Sequence, residues 1–281
     1  QRFDIDTTEG SDGFANGNSW LGLAGPFGKI SLGRMDLYYN DGVLIEISRA
    51  TSFASMGTLS LLTQWNGKLA VSPSRHPNQI RYDSPNFNGF GGSLVYSSNS
   101  GGVDHDTYLL GDDLNGDTVY ASAHYAKGPL YAGVSYIDQE VDDSDTVVKG
   151  IRVYGSYVLP FGLKIGLSVD QTDVEGDKRL AWILPVTYKT GPHAVYAMYG
   201  QADESDDVAD SGATIYNVGY DYALNKRTSI GINYTVIDND DNGLYRPFAS
   251  AINRGVGGDA PQGTDPGLQI RQIYLGLSYV F

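Results

Sequence analysis

The stretch LQIRQIYLGLSYVF, Leu268–Phe281, decides how this chain is read. Ile273, Leu275, Leu277, Tyr279 and Phe281 share one parity, and Gln272, Tyr274, Gly276, Ser278 and Val280 share the other. Successive side chains of a strand turn to opposite faces, so this segment is apolar on one side and small or polar on nearly all of the other. A soluble edge strand of this kind is normally blunted with charge or proline. Beyond Arg271 near its start, this one carries no such device on its greasy face, which predicts apolar surroundings.

The same alternation recurs along the chain. About 14 candidate strands can be counted, from RFDIDTT near the start through SWLGLAG, KISLGR, KGIRVYGSYVL, LKIGLSVDQ and AWILPVTYK to the final segment. Each is near the roughly 9–11 residues that cross a bilayer at a tilt. Their connections alternate in kind. Short turns such as GPFG, KGP, PFG, TGP and LNKR face long, mostly acidic loops such as QEVDDSDT and QADESDDVADSG. Short turns at one end and long loops at the other are the layout of a transmembrane β-barrel.

Composition agrees. The chain of 281 residues has 21 tyrosines against 9 phenylalanines and 3 tryptophans, and tyrosine suits a surface that is apolar in its body and wet at its edge. No apolar run is long enough for a membrane-spanning helix. The mean hydropathy of −0.26 has a soluble look, but alternation averages a barrel's hydropathy away. The net charge of −14 argues against nucleic acid as a partner. With no cysteine there is neither a disulfide framework nor a thiolate zinc site. A single domain spanning 1–281 is expected.

Parity assigns the faces. Ile151, Val153 and Tyr157; Leu163, Ile165, Leu167 and Val169; Trp182, Leu184, Val186 and Tyr188; and Ile230, Ile232, Tyr234 and Val236 are expected outside. Arg152, Tyr154, Ser156, Lys164, Ser168, Asp170, Ser229, Asn233 and Thr235 are expected inside. A soluble sandwich would also alternate, but its inner face would be apolar; a polar inner face predicts a water-filled lumen.

Three stretches carry a resemblance. SWLGLAGPFGKISLGRMD (Ser19–Asp36), IRYDSPNFNGFGGSLVYS (Ile80–Ser97) and the terminal IYLGLSYVF occur in order, with a segment of about 40 residues between the first two. In these features the chain resembles the Gram-negative general-diffusion porins, sixteen-stranded trimeric antiparallel β-barrels of the outer membrane. The resemblance implies an all-β transmembrane barrel, a homotrimer in contact with outer-membrane lipid and lipopolysaccharide, and a terminal Phe281 read by the barrel-insertion machinery. QRFDIDTTEG reads as the third strand of such a barrel. Two readings follow: an incomplete sixteen-stranded barrel, favoured because a first strand cannot leave its backbone unpaired in lipid, and a fourteen-stranded relative.

Leu37–Asn78 is too long for an ordinary connection and is expected to be functional. The resemblance makes it a loop folded into the lumen as a constriction, residues 37–78. Its acids are Asp41 and Glu46, with Asp36 at its entry. Opposed to basic wall residues, they would set up a transverse field that orients solutes and filters ions. Arg34 and Arg81 are the leading bases, followed by Arg2, Arg152, Arg49 and Arg75. Strict parity points Arg34 at lipid, at a cost of roughly 2–4 kcal/mol at the bilayer midplane, so a bulge or the strand's end is expected to turn it inward.

In DDLNGD, Asp113, Asn115 and Asp117 alternate like the opening half of a calcium-binding loop, though the later glutamate is lacking and Asn-Gly also suits a turn. Structural calcium is the single cofactor considered. The four histidines show no metal spacing, and Ser122 and His124 in one strand make no triad, so no enzymatic activity is expected. The expected function is passive diffusion of small hydrophilic solutes and ions. Two alternatives stay open: a channel specific for an anion, sugar or carboxylate, and a structural or adhesive barrel. The acidic loops predict a weak preference for cations.

Overall fold

A computed structural model describes residues 18–37, 41–46, 57–65, 68–69, 75–98, 116–140, 147–247 and 265–280. Its strands are β1 (Ser19–Gly25), β2 (Gly28–Asp36), β3 (Gln64–Trp65), β4 (Lys68–Leu69), β5 (Arg75–Asp83), β6 (Phe90–Ser97), β7 (Thr118–Lys127), β8 (Leu130–Glu140), β9 (Val147–Val158), β10 (Leu163–Val174), β11 (Asp177–Thr190), β12 (His193–Ala202), β13 (Ala213–Ala223), β14 (Thr228–Asn239) and β15 (Gln269–Tyr279). Thirteen of them form one sheet in the order β1-β2-β5 through β15, and β3 pairs only with β4. Every pairing is antiparallel between chain neighbours, which is the meander of a transmembrane β-barrel. Of the strands expected from the sequence, RFDIDTT lies outside the described residues.

The faces follow parity. Ile151, Val153, Tyr157, Ile165, Leu167, Leu184, Tyr188, Ile230, Ile232 and Tyr234 are exposed, as are Ile273, Leu275 and Leu277 of β15. Arg152, Ser156, Ser168, Asp170, Ser229, Asn233 and Thr235 are buried on the other face. Exposed aliphatic rows between aromatic residues are the lipid-facing band of a barrel. Ring contacts mark its two margins. Trp182, Tyr199 and Tyr216 stack across β11–β13 at 5.4 and 5.3 Å near the long-loop end. Phe90 meets Tyr125 at 4.7 Å near the short-turn end.

Turn chemistry sets which end is which. The short connections β1–β2, β7–β8, β9–β10 and β11–β12 each carry a glycine with positive φ, for example Gly162 at 93°. The β10–β11 connection at the other end is also tight: Glu175 and Gly176 have φ of 57° and 98°, both left-handed as a two-residue hairpin demands.

The lumen loop leaves β2 and seats on the inner face. Two apolar clusters record it. Leu37 packs with Val95, Tyr120, Ile137, Val148 and Val174. Farther on, Leu61 and Leu62, from the π-helical segment Thr58–Leu62, pack with Ala181, Ile183, Met198, Ala202, Ala213, Ile215 and Ile237. This explains why β11, AWILPVTYK, is apolar on both parities: one side meets lipid and the other meets the loop. The β10–β11 ladder is interrupted between Ile165↔Val186 and Ser168↔Ile183, opposite Pro185, which has no N–H to donate. Gly166 lies in that gap, and Ile45 of the loop comes so close that an added Cβ would stand 3.1 Å from it.

Candidate functional site

The lumen site is built where the loop meets the wall. At its centre are Arg152 on β9, Asp170 on β10 and Arg179 on β11, none of them solvent-exposed. Arg152 Nε donates to Asp170 Oδ2 at 2.9 Å, and Arg179 Nη2 donates to Asp170 Oδ1 at 3.2 Å. Thr172 Oγ1 completes the shell of that carboxylate at 2.8 Å. Arg179 Nη2 also donates to Thr172 Oγ1 at 2.9 Å, and other donors of both guanidiniums go to the loop. Arg179 donates to the carbonyls of Leu61 and Leu62 at 2.8 and 2.9 Å, and Arg152 to the carbonyl of Asp41 at 3.0 Å and to Thr63 Oγ1 at 3.4 Å. A helical segment ends in carbonyls without intrahelical partners, and a planar guanidinium satisfies two at once.

A second wall cation does the same for the loop's 3-10 turn, Val43–Ile45. Lys164 Nζ donates to the Leu44 carbonyl at 2.6 Å and approaches the Glu46 carbonyl at 3.4 Å. The sequence-predicted Arg152 is therefore inward as expected but roofed by the loop. Its place is in a clamp, not on the open pore.

The loop's two acids are both committed elsewhere. Glu46 is buried and turned back into its own loop, where it accepts from the Gly57 and Thr58 amides at 2.7 and 2.8 Å and from the Thr58 hydroxyl. It caps the N-terminus of the π-helical segment, the end where a helix presents unpaired N–H groups. Asp41 accepts from the Tyr120 hydroxyl of the wall at 2.5 Å. Burial pushes both carboxyls above their ordinary values. At Glu46 the Thr58 and Gly57 hydrogen bonds and the Arg152 charge oppose that rise; at Asp41 Ser135, Tyr120, Arg152 and Arg81 do so. Asp41 and Glu46 are the only acids between residues 37 and 78. Both loop carboxyls are thus hydrogen-bonded within the fold, Glu46 to its own loop and Asp41 to the wall.

Arg81 is where parity puts it, between the exposed Ile80 and Tyr82, with a quarter of its side chain open to the lumen. It donates to Asp83 at 2.7 Å, to Ser93 at 3.2 Å and to the Asp36 carbonyl at 3.2 Å. Arg34 differs from expectation. A bulge does lie at this level, between Gly33 and Met35, but the extra residue is in β5, where Asn78 has φ of 49°. The alternation of β2 runs on undisturbed, with Ser31 and Met35 buried inside, so Arg34 keeps the parity of Leu32. It is tolerated there by position: it lies two residues from the outer end of β2, where the cost of a charge falls to about 0–1 kcal/mol. Asp36 shares that rim and pairs with Asn18, accepting from its side chain at 2.8 Å. Among the described residues, Arg34 and Asp36 thus sit on the parity of Leu32 near the outer end of β2.

Arg2, Arg49, Asp113, Asn115 and Phe281 lie outside the described residues, and Arg75 is described only as the backbone partner of Asp36. Asp117 is exposed and accepts from the Tyr96 hydroxyl at 2.8 Å. Sequence reasoning missed Arg179, Thr172 and Tyr120. The signal for Arg179 was the tight Glu175-Gly176 turn, which sets Arg179 opposite Thr172 and diagonal to Asp170.

The chain matches the family model described as Gram-negative porin over residues 2–242. It is similar to outer membrane porin protein 32 of Delftia acidovorans, 26% identical over 295 residues that cover 97% of this chain and 77% of that protein. It is also 26% identical over 241 residues to major outer membrane protein P.IB of Neisseria meningitidis serogroup A, covering 77% of this chain. The match spans 64% of the length of that relative. Among solved structures the fold is similar to an anion-selective porin from Comamonas acidovorans, with a TM-score of 0.70 at 21% identity over 93% of this chain and 77% of that one. It is similar also to the trimer form of OmpT from Vibrio cholerae, with a TM-score of 0.62 at 18% identity over 93% of this chain and 80% of that one.

Proposed function

Because the chain belongs to the Gram-negative porin family, we propose that it forms a water-filled channel in the outer membrane for passive diffusion of small hydrophilic solutes and ions. The loop of residues 37–78 sets its narrowest section. One observation carries the reading: strands that are apolar on one face and polar on the other hold a long loop against the polar face. A solute gradient is the sole driving force, and no reaction or cofactor is involved. Assembly as a homotrimer among lipid and lipopolysaccharide is part of the proposal. The trimeric form of a structurally similar porin supports it.

The charge balance of the seated loop favours a preference for anions over the weak cation preference that net charge suggests. The wall clamp counts two guanidiniums to one carboxylate, 2 − 1 = +1. Lys164 adds a further positive charge, while Arg81 is balanced by its ion pair with Asp83. The loop's carboxyls are turned into the fold, Glu46 onto the Gly57 and Thr58 amides and Asp41 onto the Tyr120 hydroxyl. The local lumen charge, not the distant acidic loops, governs the narrowest section.

Purified protein in planar bilayers and in liposomes tests both statements. Conductance linear in salt, swelling rates that fall with sugar size and a reversal potential on the chloride side are expected. Conductance that saturates for one solute would favour a specific channel instead. The absence of any flux overturns the channel, and a reversal potential on the potassium side overturns the anion preference alone.

A further inference from the structure

A second segment reaches the constriction from outside. After β14 the chain turns at Asn239 and runs back over the wall as residues 243–247. Asn239 grips it as a neighbouring strand would. Its Oδ1 accepts from the Tyr245 amide at 2.7 Å, and its Nδ2 donates to the Tyr245 carbonyl at 2.9 Å and to the Leu268 carbonyl at 2.8 Å. Gln64 repeats the arrangement one residue later. Its Nε2 donates to the Arg246 carbonyl at 2.7 Å, and its Oε1 accepts from the Arg246 amide at 3.3 Å. A side-chain amide has the donor and acceptor of a peptide unit, so each of these residues replaces a missing strand partner.

The two grips come from different bodies. Asn239 belongs to the wall, whereas Gln64 follows directly on the π-helical segment of the constriction loop and is fully buried. Between them, the Tyr245 side chain is 1% exposed and inserted in the cluster that holds Leu61, Leu62 and Ile237. Moving the constriction loop off the wall would break both Gln64 bonds to the Arg246 backbone and open a void beside Tyr245. Both are costly.

We propose that this strap is a second positioning element of the constriction, locking the outer β14–β15 loop to the constriction loop so that the two leave the wall together or not at all. Gln64, Asn239 and Tyr245 are the positioning residues. The inference rests on the channel reading above. It goes beyond that reading by making the pore's width depend on a segment that faces the outside.

Single-channel recording with Gln64→Leu, Asn239→Ala and the double variant tests it, with each protein first shown to form a folded barrel by its shifted mobility on unheated gels. Either single change is expected to raise open-channel conductance and to increase current noise several-fold. The double variant is expected to add little, because both changes open one latch. Gln64→Glu keeps the acceptor and loses the donor, and it is expected to give a milder form of the same change should Gln64→Leu fail to assemble. Folded variants indistinguishable from a conducting parent overturn the latch, as do fully additive effects. A parent that conducts nothing overturns the channel reading instead.

Discussion

Arg152 and Asp170 are joined at 2.9 Å with neither side chain exposed to solvent, and the same carboxylate also holds Arg179. Two cations and one anion are thus sealed between wall and loop. Burying such charges is costly unless they are paired, and the loop's own carbonyls supply acceptors beyond those of Asp170.

Removing the anion is the sharpest test of that clamp. Asp170→Ala leaves two buried guanidiniums facing each other, a change of about 3–5 kcal/mol against the seated state. The sheet is held by its own backbone ladder, so the expected outcome is a folded barrel with an unseated loop. Limited proteolysis checks it: cleavage should fall within residues 37–78, with the barrel resistant. Wild-type protection of the loop would refute the clamp.

The loop's carboxyls give the seating a pH dependence. Glu46 is raised by burial above its ordinary value of 4.5, and Asp41 above 3.8. A carboxyl with a raised value holds its proton more firmly in the seated loop than in the released one. Its contribution is complete below the ordinary value and is lost as pH rises through the raised one. Protease resistance of the loop is therefore expected to decline across that window on the alkaline side. Glu46→Gln, which cannot ionise, should flatten the part of the slope that Glu46 supplies. A profile that instead weakens towards acid would reverse the sign and sink the account.

Gly57 packs tightly against the wall. A Cβ there would stand 2.5 Å from Met198 Sδ and 2.9 Å from Ile183 Cγ2. Gly57→Ala is expected to destabilise seating by about 1–3 kcal/mol through overpacking. Met198→Ala, which vacates the space, should recover part of that loss, with a coupling of about 0.5–3 kcal/mol in a double-mutant cycle. Strictly additive losses would show that the two side chains do not meet.

The barrel was readable because lipid and water impose a period of two that local sequence must obey. Parity placed Ile151, Val153 and Ile232 outside and Arg152, Asp170 and Asn233 inside, as found. Length marked the loop as functional, and its folding into the lumen was what the family resemblance implied. What lay beyond reach was the loop's internal bonding. Glu46 could have faced the pore or Gly57, and nothing periodic distinguishes the two. Arg34 was misjudged for a related reason: a bulge adds its residue to one strand of a pair, and here it went to Asn78 of β5. In β11 parity set Leu184 and Tyr188 outside, as found, but gave no sign that Ile183 on the other face would meet the loop.

That doubly apolar strand changes what emptying the tube would achieve. Ile183, Met198, Ile215 and Ile237 form an oily plate on the inner wall beneath the loop. Excising the loop to make a wider conduit would uncover this plate and invite detergent, lipid tails or hydrophobic drugs to lodge there. For engineering a nanopore from this scaffold, the plate must be repainted with polar side chains at the same time as the loop is cut.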